Sequence, residues 1–346
     1  MAKIGLYGGG FKPPTRGHFE VVQKIIDEYS DLDMLIVLVG KGIRNGISQD
    51  ESILIWSIFK KYLPLKVRII PISSPIGEIY SLAKGNLEDE FIWFLGDDDL
   101  LVKDSLKYLI KKMKKNSDVD FFWVNSFYLD VKNIQNFSQP FDTKNLPKNM
   151  EPHSKIKRDI KTNFFGIIDK KISFDYLLGI FVCVFRRDLW EKNLDIIDNK
   201  KIKDKKTWSN FENTCFFVKV FCEAFSKSKA YICSKPLSVN LYGVREWVSL
   251  YPFVEIVRIP EALDYYRSKG LSFTNYIINK NYALRNFFNF FVKIIITGNN
   301  GGLQYVDFKK HFFFNLIYPN AWLSIPYFFC RKTKNILINI TKFFLK

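Results

Sequence analysis

The chain has 346 residues, 47% of them hydrophobic, enough for one large domain with an appendage. Lysine and arginine outnumber aspartate and glutamate 52 to 35, and the resulting charge of +17 favours acidic partners such as nucleotide phosphates or anionic lipid headgroups. Three histidines and five cysteines without a CxxC pair argue against a zinc site, and with no RNA-binding pattern nucleic acid is not an expected partner.

The chain opens on a short apolar strand, Lys3 to Tyr7, that runs into Gly8, Gly9 and Gly10. FKPPTRGH (Phe11 to His18) follows, then a helix with Phe19, Val22, Ile25, Ile26 and Tyr29 on one face. Glycines let a backbone approach phosphate closely, and a histidine at a helix N-terminus can meet the same anion. Helix capping is the alternative role for His18. No secretory leader is expected, and the odd cysteine count fits packing thiols in a reducing cytoplasm.

Coarsely, the first part alternates strand (3–8), helix (18–29), strand (33–39), helix (49–62), strand (67–72), helix (76–84) and strand (91–95). Such alternation makes a parallel sheet with right-handed crossovers. In the turn after the second strand, GKGIRNGIS, Lys41 and Arg44 are candidate phosphate contacts or solvent-facing cations.

The most informative stretch is FIWFLGDDD, Phe91 to Asp99. The apolar run reads as a buried parallel strand, and ligands in such sheets bind beyond the strands' carboxyl ends. Three adjacent carboxylates repel one another unless a cation neutralises them, so a Mg²⁺ or Mn²⁺ ion carrying a phosphorylated ligand is expected there. The alternative is a solvated turn in which Asp97 caps the next helix. DSLKYLIKKMKK (Asp104 to Lys115) has helical spacing, and DVDFFWVNSFYLD (Asp118 to Asp130) reads as a strand.

Residues 132 to 172 form a polar span with Pro140, Pro147 and Pro152, read as either a lid-like excursion or a disordered insertion, with His153 exposed. FDYLLGIFVCVFRR mixes strand and helix signals. TWSNFENTCFFVKVFCEAF (Thr207 to Phe225) reads as a helix with Glu212 at its start. NFFNFFVKIII (286–296) and the segment from His311 onward set aromatics beside lysines without an apolar run near the ~20 residues of a spanning helix. They suit interfacial helices on a membrane surface or an appendage packed on the catalytic domain.

These segments carry two resemblances. FIWFLGDDD, GIFVCVFRRDLW (Gly179 to Trp190) and KPLSVNLYGVREW (Lys235 to Trp247), in that order, resemble family 2 glycosyltransferases of GT-A fold over about residues 86 to 260. The resemblance implies Asp99 as metal ligand, Asp97 in the metal shell or near the donor's ribose, and a carboxylate base at a helix start, for which Glu212 is the best-placed acid and Asp204 a lesser substitute. It also implies a nucleotide-sugar donor, inversion at the sugar, and a glycan or lipid-linked acceptor at the cytoplasmic face of a bacterial inner membrane. The first 85 residues, with Gly8–Gly9–Gly10 and Thr15-Arg16-Gly17-His18, resemble cytidylyltransferase-like nucleotidylyltransferases, threonine standing where the first histidine of that motif is usual. No copy of their second phosphate motif follows, and the turn after the second strand lacks the base-binding aspartate of family 2 transferases. The expected architecture is an α/β, Rossmann-like GT-A sheet with flanking helices (1–85 and 86–260) plus a helical, aromatic-rich appendage (261–346). Sugar transfer is the expected function; CTP- or ATP-dependent nucleotidyl transfer and nucleotide binding without turnover are the alternatives.

Overall fold

The computed structural model describes residues 4–9, 11, 13–40, 46–72, 91–95, 99–130, 147, 150–202, 204, 206, 208–242 and 246–330. The chain divides into two compact units, one drawn mainly from residues before 91 and one from those after.

In the first unit, β1 (Ile4–Gly9), β2 (Met34–Gly40) and β3 (Val67–Ile72) lie in the order β1-β2-β3, all parallel. Helices α1 (Arg16–Glu28) and α2 (Gln49–Lys60) make the crossovers. β2 is the middle strand, buried from residue 35 to residue 40, which is why it reads as an unbroken apolar run rather than an alternation. α1 turns Val22 and Ile26 into a core with Leu35, Val37, Trp56 and Val67. α2 opens on a capping box: the Glu51 N–H donates to the Ser48 hydroxyl, and the Ser48 N–H to the Glu51 carboxylate. These five elements match the sequence expectation; the expected helix at 76–84 lies outside the described residues.

The run at 91–95 does not continue this sheet. β4 (Phe91–Trp93) is half-buried and antiparallel to β9 (Cys183–Arg186) in a second sheet. A short aromatic run fits either role. Here Phe91 is held by the Phe122 ring at 5.7 Å and the Arg186 guanidinium at 4.7 Å.

The second sheet has seven strands in the order β4-β9-β6-β10-β5, with β7 on β6 and β8 on β10. Its other members are β5 (Leu100–Leu101), β6 (Phe121–Asp130), β7 (Glu151–Pro152), β8 (Ile160–Asn163) and β10 (Lys229–Tyr242). β6 and β10 pair in parallel, and the described pairings around them are antiparallel. Successive β6 side chains face opposite sides. Phe122 and Val124 pack with Leu109 of α3 (Ser105–Lys115), whereas Phe121 meets Phe221 at 5.1 Å and Phe225 at 5.3 Å on α4 (Phe211–Phe225). The sheet is thus covered by a helix on each face. The described end of the polar span, residues 150–172, is ordered rather than structureless, since β7 and β8 are strands of this sheet; residues 132–146 lie outside the described residues.

Toward the C-terminus, α5 (Ile259–Ser268), α6 (Phe273–Ala283) and α7 (Phe287–Thr297) precede a helical stretch at 319–330. NFFNFFVKIII, expected at a membrane surface or as a packed appendage, supplies one face to the core of this region: Phe287, Phe291 and Ile294 are buried with Phe253, Val257, Leu284 and Ala321. The protein is therefore a mixed α/β structure with a parallel sheet, a mixed sheet and an aromatic-rich helical region. Among the described residues no helix is long and apolar enough to cross a membrane. Cys183, Cys215, Cys222 and Cys233 are free and buried, and burial pushes the Cys233 thiol up to about 12, as packing residues require.

Candidate functional site

In the first unit, β1 delivers Gly8 and Gly9 at its carboxyl end. Phe11 follows in the left-handed region, φ 46°. A bulky residue persists there only where its surroundings fix it. Tyr7 at 5.0 Å, His18 at 5.1 Å and Trp56 at 5.4 Å enclose the Phe11 ring, and the Ser52 hydroxyl donates to its carbonyl at 2.8 Å. Thr15 is the N-cap of α1, and its N–H donates to His18 Nδ1 at 2.9 Å. Accepting at Nδ1 places the proton of the neutral imidazole on Nε2. Gly8, Gly9, Thr15 and His18 thus belong to one strand–turn–helix unit, at the N-terminus of a 13-residue helix with no acid in its first turn. That electrostatic setting favours a phosphate. On the same sheet edge, the Gln49 amide donates to the carbonyls of Val39 (2.7 Å) and Ile72 (2.8 Å), tying the ends of β2 and β3 together. Gly10, Lys41 and Arg44 lie outside the described residues.

Of the acidic turn, Asp97 lies outside the described residues. Asp99 is half-buried and immediately precedes β5, which pairs through Leu100 and Leu101 with Val239 and Ser238 of β10. Among the described residues no group of three or more His, Cys, Asp or Glu side chains could hold a metal by itself. A carboxylate or two on a turn is nonetheless the protein share that Mg²⁺ or Mn²⁺ takes when substrate phosphates complete its shell. The donor chemistry of Asp99, with Asp97, fits that role.

Glu212 lies in the first turn of α4, whose N-cap Asn210 accepts from the Asn213 N–H at 2.9 Å. Its carboxylate is buried, accepts from Lys219 Nζ two turns on, and lies 3.5 Å from Lys201 Nζ. Burial works against ionisation, but the Lys219 ammonium, the residue's own N–H and Lys201 outweigh it and hold the carboxyl below its usual range. Between Glu212 and Lys219 the helix breaks at Cys215 (φ −152°, ψ 48°). Asp204 is engaged locally, accepting from the Ser209 hydroxyl at 2.5 Å and the Lys206 N–H at 3.0 Å.

A cluster that the sequence did not announce lies at His153. Far from exposed, its side chain is closed off from solvent. Nδ1 meets the Tyr128 hydroxyl, and Nε2 lies 2.8 Å from Ser173 Oγ and 3.5 Å from Asp175 Oδ2. The Ser173 hydroxyl also donates to Asp175, which accepts from the N–H groups of Leu177 (3.3 Å) and Gly179 (3.1 Å). Burial opposes the Asp175 charge, but His153 and these donors lower its pKa. Pro152 and Ser154, on either side of His153, line a surface cleft of about 470 Å³ with Asn125, Phe127, Lys155 and Pro236. Nothing in the Pro-His-Ser sequence distinguishes this histidine from a loop residue, because its partners come from distant β6 and residues 173–175.

No protein-family model matches the chain, and no curated protein matches it.

Proposed function

We propose that the protein is a metal-dependent glycosyltransferase that moves a sugar from a nucleotide diphosphate-sugar to a glycan or lipid-linked acceptor. The observation that carries this reading is Asp99, the last of three consecutive aspartates in the sequence and the residue that immediately precedes β5. Asp99 and Asp97 would hold Mg²⁺ or Mn²⁺, which when bound supplies positive charge for the leaving diphosphate. Glu212 is the candidate base for the acceptor hydroxyl. Lys219 keeps it ionised, as a proton acceptor must be, at the cost of basicity.

A second reading has its own support in the first unit, where Gly8, Gly9, Thr15 and His18 frame a helix N-terminus suited to a nucleotide phosphate. It is nucleotidyl transfer from CTP or ATP with release of pyrophosphate.

Thermal stability with UDP, GDP, CTP and ATP, with and without Mn²⁺, separates the two. A ligand at ~100 times its Kd stabilises by about 2.7 kcal/mol. Sugar transfer requires a UDP or GDP shift that depends on Mn²⁺ and disappears in Asp99→Ala. It also requires Glu212→Gln to keep that shift while losing turnover by about 100-fold or more. A CTP or ATP shift that ignores Asp99→Ala but disappears in His18→Ala selects nucleotidyl transfer instead.

A further inference from the structure

The C-terminal helical region presents a surface that its own core does not use. Residues 319–330 are helical and contain no charged side chain. One face is committed to the protein: Ala321 and Ser324 are buried, Ser324 Oγ accepts from the Phe288 N–H at 2.9 Å, and the Phe328 ring lies 5.4 Å from that of Phe288. The other side carries Trp322, Leu323 and Tyr327, which are 56%, 62% and 57% exposed. A spacing of four places Leu323 and Tyr327 on one stripe. In the preceding turn, Phe313, Phe314 and Ile317 are also more than half exposed. The exposed side of this helix is apolar, and among the described residues none covers it. At ~1.5 Å per residue the described part, 319–330, rises roughly 18 Å against the ~30 Å hydrocarbon core.

Charge selects the occupant. From His311 to Cys330 there is no Asp, Glu, Lys or Arg, the exposed Lys309 stands just before the stretch, and the chain as a whole carries +17. Two copies paired through this face about a two-fold axis would bring two strongly basic chains, and their Lys309 side chains, toward one another. An anionic surface would attract this positive charge, and Trp and Tyr are at home at the membrane–water boundary. We propose that the exposed face of 319–330, with the turn at 313–317, docks flat onto an anionic lipid bilayer, lying in the headgroup layer without crossing it. This docking stands whether or not the chain transfers a sugar.

The test uses the full-length chain with vesicles of phosphatidylcholine alone or mixed with phosphatidylglycerol. Wild type is expected to co-sediment with the mixed vesicles and to release as salt rises. Its tryptophan emission is expected to shift to the blue, by a component that Trp322→Phe removes. Leu323→Glu combined with Tyr327→Glu should lower partitioning by about tenfold or more, with a wild-type melting temperature because both side chains are exposed. Equal partitioning of wild type and double variant overturns the proposal. So does failure to bind mixed vesicles, including the case where the double variant abolishes self-association and a second copy proves to be the occupant.

Discussion

His153 and Asp175 form the charge pair of a buried polar cluster, 3.5 Å apart, with the Ser173 and Tyr128 hydroxyls in closer contact with the imidazole. Truncating the imidazole opens a cavity and leaves the Asp175 carboxylate without its main partner. His153→Ala should therefore cost about 3–5 kcal/mol, measured as a lower urea midpoint at unchanged slope. A loss below ~1 kcal/mol, the range of surface substitutions, would show that the cluster is not a structural anchor. This histidine was illegible in sequence because burial by distant partners leaves no local pattern. Glu212 is the opposite case. The helical spacing of Phe217, Val220 and Phe221 marked the helix, and its first turn is where Glu212 stands. Phe11 lies between the two, since the glycine-rich turn was readable but the left-handed backbone held by Ser52 was not.

Among the elements, α3, β10 and the residue that introduces β8 are joined by one carboxylate. Asp159 accepts from Lys112 Nζ at 2.6 Å, the Tyr231 hydroxyl at 2.9 Å, and both the N–H and the hydroxyl of Ser234 at 2.9 Å. Burial raises its pKa, but Lys112, Ser234 and Tyr231 more than compensate, and the carboxyl is lowered from 3.8 to about 2. A folded-state value below the unfolded one stabilises fully above pH ~4, and the contribution fades as the pH falls toward about 2. Asp159→Asn should cost about 1–3 kcal/mol at neutral pH, and its gap from wild type in urea midpoint should narrow on acidification to about pH 2.5. A gap independent of pH would mean that the ionised form is not what binds the three elements. Elements of the first unit were legible because each strand is a near-continuous apolar run separated by an amphipathic helix. β4 was misread because FIWFL satisfies a parallel or an antiparallel partner equally, and the choice falls to β9, some ninety residues on. For α7 the sequence left two readings open for a related reason: Phe and Ile beside lysine look the same whether they face lipid or the Phe253 and Ala321 core.

For the whole molecule, each unit owns a core. Among the described residues, that of the first is built by Phe11, Val22, Val37, Trp56 and Val67. Separate cores give separate cooperative units unless a large interface couples them. Trp56 is fully buried and is the one tryptophan of the seven that precedes residue 91. The unfolding of its fluorescence, taken as the difference between wild type and Trp56→Phe, should not superimpose on far-UV circular dichroism, to which the longer second unit contributes most. Coincident curves would establish a single cooperative molecule.

The two sheets also differ in when they can be completed. β1, β2 and β3 are neighbours both in space and in order of synthesis, so these three strands can pair once β3, which ends at Ile72, has emerged. β6 is finished at Asp130 but pairs with β9 at 183–186 and with β10 at 229–242. At ~5–20 residues per second, a nascent chain carries the aromatic strand FFWVNSFYLD without its parallel neighbour for roughly 5–20 seconds on the ribosome. Production of this protein is thus exposed to aggregation at one segment and during one interval, and a chaperone that shelters apolar strands would act on β6 before the emergence of β10 removes the need.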